Sequence, residues 1–183
     1  MNKKIAWLGI VFVVFAVGMR FLPHTPNFVP IGALALFSGV YFSKKWGLIA
    51  PLTAMLASDL FIGFYDFKLM AVVYGSFLAL VLAGWLVRKN KSFATITAGV
   101  LGGSVFFFLT TNFAVWLMSN WYPHTLDGLI LSYTLGLPFF RSTLLGNLFY
   151  SGIFFGVYAG MPVLKILLVN LFRTARLKVE LKK

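Results

Sequence analysis

The sequence predicts an all-α polytopic membrane protein, a compact bundle of about six transmembrane helices with both termini on the cytoplasmic side. Three observations carry this. Of the 183 residues, 60% are hydrophobic and only 11% are charged, against roughly 25% charged in ordinary soluble domains. The mean hydropathy is +0.91. The basic residues gather in short clusters between apolar runs, in a pattern that alternates along the chain. Four acidic residues cannot cover a water-exposed surface of this size, and 21 phenylalanines would leave large apolar patches in water.

Apolar runs at 5–22, 29–43, 46–65, 69–88, 93–118 and 142–162 supply the spans. About 20 residues, rising roughly 1.5 Å each, cross a hydrocarbon core of about 30 Å. The first run follows Lys3 and Lys4 and carries Ala16-Val17-Gly18, so it resembles a secretory signal peptide; its apolar continuation to Leu22 favours a retained span. The second is short and follows Pro23, Pro26 and Pro30, which predicts a thin, tilted or partly re-entrant segment. The third, fourth and fifth runs fit a crossing directly. The last apolar stretch is too long for one crossing and contains Pro162, so a kinked or interfacial segment is expected after about residue 158. Residues 163–183 alternate apolar and basic side chains and read as a cytoplasmic amphipathic tail on the inner headgroups.

Orientation follows from charge. Lys3 and Lys4, then Lys44 and Lys45, then Arg88, Lys89 and Lys91, then the tail from Lys165 to Lys183 occupy the two ends and every second gap. Lys and Arg are retained on the cytoplasmic side during insertion, so both ends are placed inside. The net charge of +12 is distributed as loop clusters rather than as one basic face with interleaved aromatics, which excludes nucleic acid as a partner.

With the orientation set, the strongly polar residues of the spans fall in their outer halves. Arg20 closes the first run, Asp59 lies late in the third, Asn112 and Trp116 lie late in the fifth, and Asn147 and Tyr150 follow Arg141 at the start of the sixth. The inner halves hold only hydroxyls such as Thr53, Thr95, Thr97 and Ser104. A buried ionisable residue costs about 2.5–3.5 kcal/mol on insertion scales, so Asp59 needs a partner, and Arg20 and Arg141 are the candidates. Asp59 then serves either in a packing ion pair or in an outward pocket for a polar ligand. The candidate ligand-binding residues are Asp59, Asn112, Trp116, Arg141, Asn147, Tyr150, Asn27 and Arg20.

Small residues recur at four-residue spacing: Ala50, Ala54 and Ser58; Gly75, Ala79 and Ala83; Gly152, Gly156 and Gly160. Such stripes are candidate helix-packing surfaces. Two Pro-His-Thr segments, at His24 and His124, lack a nearby carboxylate, so no metal site is expected. The chain contains no cysteine, and only Asp59 among the acidic residues lies deep in a span, so neither catalysis nor a cofactor is expected.

The segments Pro26-Asn27-Phe28-Val29-Pro30-Ile31-Gly32-Ala33-Leu34-Ala35-Leu36-Phe37-Ser38-Gly39, Ala57-Ser58-Asp59-Leu60, Thr111-Asn112-Phe113-Ala114-Val115-Trp116 and Leu137-Pro138-Phe139-Phe140-Arg141-Ser142-Thr143-Leu144-Leu145-Gly146-Asn147-Leu148 resemble an uncharacterised family of small six-helix bacterial membrane proteins. That family in turn resembles the substrate-binding S components of energy-coupling factor (ECF) transporters. The resemblance implies a multi-pass protein of the bacterial inner membrane that captures a solute from outside and associates with a coupling subunit and two ATPases. The first run departs from it: Ala6, Gly9, Ala16 and Gly18 do not repeat at the Ala-x-x-x-Ala spacing of S components. The expected function is capture of a small solute in an outward polar pocket. The alternative is a membrane scaffold or assembly protein that binds no solute.

Overall fold

The computed structural model describes residues 3–180, with side chains described for residues 4–163. Among the described residues the fold is all-α, with six helices: α1 (Lys3–Met19), α2 (Ile31–Tyr41), α3 (Lys44–Ile62), α4 (Phe67–Val87), α5 (Phe93–Met118) and α6 (Leu126–Glu180). Four stretches are long and apolar enough to cross a membrane: α3, α4, α5, and α6 as far as Val163. α1 and α2 are apolar but shorter.

Local chemistry sets the ends. Asp66 caps α4, its carboxylate accepting from the Lys68 and Leu69 amides at 2.9 and 3.0 Å. Ser92 caps α5 by accepting from the Thr95 amide. Gly63 ends α3 at φ +110°, in a backbone region that L side chains rarely adopt. Pro51 inside α3 has no N–H to offer the Gly47 carbonyl, and the Ser38 hydroxyl of α2 lies 2.9 Å from that carbonyl oxygen. A proline defect in one helix thereby becomes an anchor for its neighbour.

α2 is the centre of the bundle. At 11 residues it is only about 16 Å long, yet it packs against each of the other five helices. Residues 31–40 are all buried, as expected for a helix apolar on every side. Its small residues let neighbours approach closely: a Cβ added at Gly39 would stand 2.3 Å from the Val81 carbonyl oxygen, and one at Gly84 would stand 2.8 Å from the Gly39 Cα. The α2–α4 crossing is therefore a backbone-to-backbone contact. Parallel neighbours follow from pairs such as Phe37 with Phe154 and Tyr41 with Tyr158. Antiparallel ones follow from Ser76 with Thr110 and Phe77 with Phe107. Helices α1, α3 and α5 run one way, and α2, α4 and α6 run the other.

The basic loops meet the C-terminal end of α2. Arg88 donates to the Gly39 and Phe42 carbonyls at 2.6 and 2.5 Å, and Lys91 lies over the Tyr41 ring. A cation at a helix C-terminus is electrostatically favoured. Elsewhere the outer surface is strongly apolar, with Phe93 87% exposed, Phe61 81% and Leu86 72%.

Several boundaries differ from the sequence reading. α6 begins at Leu126, well before the apolar run at 142, so Asp127 and Arg141 are helical rather than in a gap. The polar residues that lower hydropathy there are satisfied against helix backbone: Ser132 donates to the Asn112 carbonyl, Tyr133 to Leu109 and Thr134 to Ile130. The backbone also stays helical through Pro138 and Pro162 to Glu180, so the kinked or interfacial segment expected after about residue 158 falls within this helix. The amphipathic character read for 163–183 falls, Val163 apart, on side chains outside the described residues.

Candidate functional site

A cavity of about 320 Å³ lies at the N-terminal end of α2, and every helix or its adjoining loop contributes to the wall. Arg20 enters just after α1, Asn27 and Val29 precede α2, Gly32 lies in the first turn of α2, and Met55 comes from α3. Tyr65 sits in the α3–α4 connection, Val73 and Phe77 are on α4, Phe107 and Thr111 on α5, and Thr143 and Asn147 on α6. The basic loops lie at the opposite end of α2, beside Gly39 and Tyr41.

Arg20 is held from behind. Its Nη1 stands 2.8 Å from Asp59 Oδ1 and donates to Ser58 Oγ at 2.5 Å. The second carboxylate oxygen accepts from the Tyr74 hydroxyl at 2.8 Å. Asp59 is 1% exposed and does not line the cavity, whereas the Arg20 side chain is 17% exposed and does. Both oxygens of the carboxylate are thus occupied by protein donors, and the carboxylate fixes the guanidinium in the cavity wall. Arg141, the other candidate partner for Asp59, makes no such pair among the described residues.

Asn27 lines the wall from a tight turn that precedes α2. Phe28 N donates to Thr25 O at 2.9 Å, closing a turn with Pro26 second and Asn27 third at φ +63°. That is type II turn chemistry, in which asparagine tolerates the left-handed position better than other L residues. Asn147 is buried on α6, and its Nδ2 donates to Ser104 Oγ at 3.0 Å. Its carboxamide lies over the first turn of α2, where a Cβ at Gly32 would stand 2.3 Å from Oδ1. Gly32 is there so that this amide fits.

The structure gathers three of the eight residues singled out from the sequence, Arg20, Asn27 and Asn147, into the cavity wall, with Asp59 directly behind. The others lie elsewhere. Asn112 donates to the Phe108 carbonyl and packs its Oδ1 toward Gly136 of α6. Trp116 donates to the Pro123 carbonyl in the α5–α6 loop. Arg141 borders a separate surface pocket with Thr25, Phe28 and Pro138. Tyr150 is buried against Phe15 and Phe28. The cavity also takes Tyr65, Thr111 and Thr143, which the sequence reading passed over. Helical spacing was the available signal for Thr143, since it stands four residues before Asn147 and so shares its face.

The packing stripes divide in the same way. Ala50, Ala54 and Ser58 are buried inside the bundle. Gly75, Gly152, Gly156 and Gly160 have nothing within 4 Å of an added Cβ among the described residues, and Ala79 and Ala83 border a shallow groove with Trp85 and Gly102. The close approaches are made instead by Gly9, Gly32, Gly39, Gly84, Gly103, Gly128 and Gly136. No group of three or more His, Cys, Asp or Glu among the described residues could hold a metal ion.

Among the described residues five helices surround a buried central one, four of the five are apolar and long enough to cross a bilayer, and a cavity with polar side chains in its wall lies at one end. Residues 1–168 match the profile of DUF6580, described as a family of unknown function, and the chain belongs to that family. No curated protein and no solved structure matches it.

Proposed function

We propose that the chain is a multi-pass protein of the bacterial inner membrane, with both termini inside, that captures a small polar solute in an outward-facing cavity. The cavity at the N-terminal end of α2 carries the reading: polar side chains from the α1 end, the α2 turn, α5 and α6 converge there, in a bundle whose exterior is otherwise apolar. Its position supports the orientation, because Arg88 and Lys91 cluster at the other end of α2 and basic loops stay inside. In this reading Arg20, Asn27 and Asn147 contact the solute, and Asp59 positions Arg20. The resemblance to S components of ECF transporters assigns release to a coupling subunit and two ATPases, an arm that co-purification from native membranes tests separately.

The experiment is solute depletion by intact cells with and without the gene. Expression of the natural chain should accelerate uptake of at least one polar metabolite, and Thr111→Phe, which fills the cavity, should abolish the gain. Equal uptake by the natural and filled forms would refute the reading.

A second reading, a scaffold that binds no solute, is favoured by one observation. Gly152, Gly156 and Gly160 present a small-residue face on which an added Cβ would meet nothing within 4 Å among the described residues. Crosslinking from that face to another membrane protein, with the cavity dispensable, would select it.

A further inference from the structure

We propose that the cavity binds its solute through an oxyanion group, a carboxylate or a phosphate, with a hydrogen-bond donor elsewhere on the same molecule. This rests on the solute-capture reading and names the ligand class for that site.

The first observation is the charge of the wall. Among the described residues that line it, Arg20 is the only charged one. The nearby carboxylate, Asp59, has both oxygens occupied, by Arg20 Nη1 and by the Tyr74 hydroxyl. A cationic ligand would meet a guanidinium and find no free carboxylate.

The second observation is the supply of unused donors. Among the described residues, the side-chain hydrogen bonds of Arg20 are all made by Nη1, to Ser58, Met55 and Asp59. Its Nε and Nη2 groups meet no acceptor among the described residues, which leaves three N–H bonds in a planar array that matches the two oxygens of a carboxylate or phosphate.

The third observation is independent of Arg20. The first intrahelical bond of α2 runs from Leu34 N to Pro30 O. Pro30 brings no side chain to cap the helix, and the amides of Ile31, Gly32 and Ala33 find no acceptor among the described residues. Buried orphan amides are costly, and here they occur where Gly32 lines the cavity. The contrast with the other end is informative, since Arg88 satisfies the carbonyls there. A helix N-terminus with open amides attracts an anion, and it stands in the same cavity as the free edge of Arg20.

The α5 and α6 wall is complementary. Thr111 and Thr143 spend their hydroxyl protons on the Phe107 and Phe139 carbonyls at 2.7 and 2.9 Å. Their oxygens remain as acceptors, suited to a hydroxyl or ammonium on the solute. Donors on one side and acceptors on the other select a ligand of the hydroxy-acid or amino-acid type.

The test uses the full-length protein in phosphatidylcholine nanodiscs at constant ionic strength, with inorganic phosphate, lactate, glycerol and ethanolamine as probes. Phosphate and lactate should raise the unfolding temperature saturably, and glycerol and ethanolamine should not. The double variant Arg20→Gln/Asp59→Asn, which leaves no lone buried charge, should weaken the anion response by about tenfold or more. Should that variant fail to fold, the natural protein suffices: phosphate should protect Arg20, but not Arg141, from phenylglyoxal, as read by peptide mass spectrometry. Stabilisation only in discs containing phosphatidylglycerol would keep the oxyanion chemistry but move it to a lipid headgroup, and would overturn solute capture. Equal stabilisation by glycerol or ethanolamine would overturn the oxyanion assignment and leave solute capture standing. No response and no protection would also overturn the oxyanion assignment, while the uptake experiment would still decide solute capture.

Discussion

Separating Arg20 from Asp59 is the perturbation whose cost the structure sets most directly. The Asp59 carboxylate is 1% exposed, so Arg20→Gln leaves it with Tyr74 as its remaining donor and no cation. Removing one member of a buried pair costs about 3–5 kcal/mol, because the other charge stays desolvated. Asp59→Asn should cost less, about 1–3 kcal/mol, because the Arg20 side chain is 17% exposed and can be hydrated from the cavity. The double variant removes both charges and leaves neutral hydrogen bonds where Ser58 and Tyr74 had charge-assisted ones, a loss of about 1–2 kcal/mol in all. The cycle therefore predicts a coupling energy of at least about 2 kcal/mol. Unfolding in mixed micelles with increasing SDS, followed by tryptophan fluorescence, measures all four forms. Additivity within about 0.5 kcal/mol would refute the claim that Asp59 exists to hold Arg20.

Gly39→Ala should destabilise by about 2–3 kcal/mol, because its Cβ would stand 2.3 Å from the Val81 carbonyl oxygen. Gly75→Ala, with open space around it, should be neutral or gain about 0.5–1 kcal/mol in the same assay. Arg88→Met should cost about 2–3 kcal/mol by exposing the Gly39 and Phe42 carbonyls of a buried helix end, and Arg88→Lys should restore only part, since an ammonium lacks the guanidinium fork. At the cavity turn, Asn27→Gly should be tolerated within about 0.5 kcal/mol while Asn27→Val loses about 1–3 kcal/mol to its φ of +63°; thermal unfolding compares the two.

What the sequence made legible was depth, and what it hid was helix azimuth. Arg20 and Arg141 could be named as partners for Asp59 because a lone carboxylate in an apolar run demands one at its own level, and the structure brings Arg20 to 2.8 Å. Asn112 sits at a similar level, yet each helical step turns about 100°, so its neighbour Thr111 faces the cavity while Asn112 faces α6. Arg141 and Asn147 are six residues apart, far off a whole number of turns, and they reach different pockets. The regular stripe of Gly152, Gly156 and Gly160 drew attention by its spacing, whereas the decisive crossing uses the isolated Gly39 and Gly84. Single glycines carry no periodic signal. The short central helix had a clearer one: α2 is apolar on all sides, and that composition foretells complete burial.

The chain lacks cysteine, so Thr111→Cys would place a single thiol in the cavity wall, and Asn90→Cys would place one in the basic α4–α5 loop. Labelling of intact cells with a membrane-impermeant maleimide measures which of the two faces the exterior. The account predicts modification of Thr111→Cys before permeabilisation and of Asn90→Cys only afterwards. Modification of Asn90→Cys in intact cells, with Thr111→Cys protected, would turn the cavity inward and contradict capture from outside.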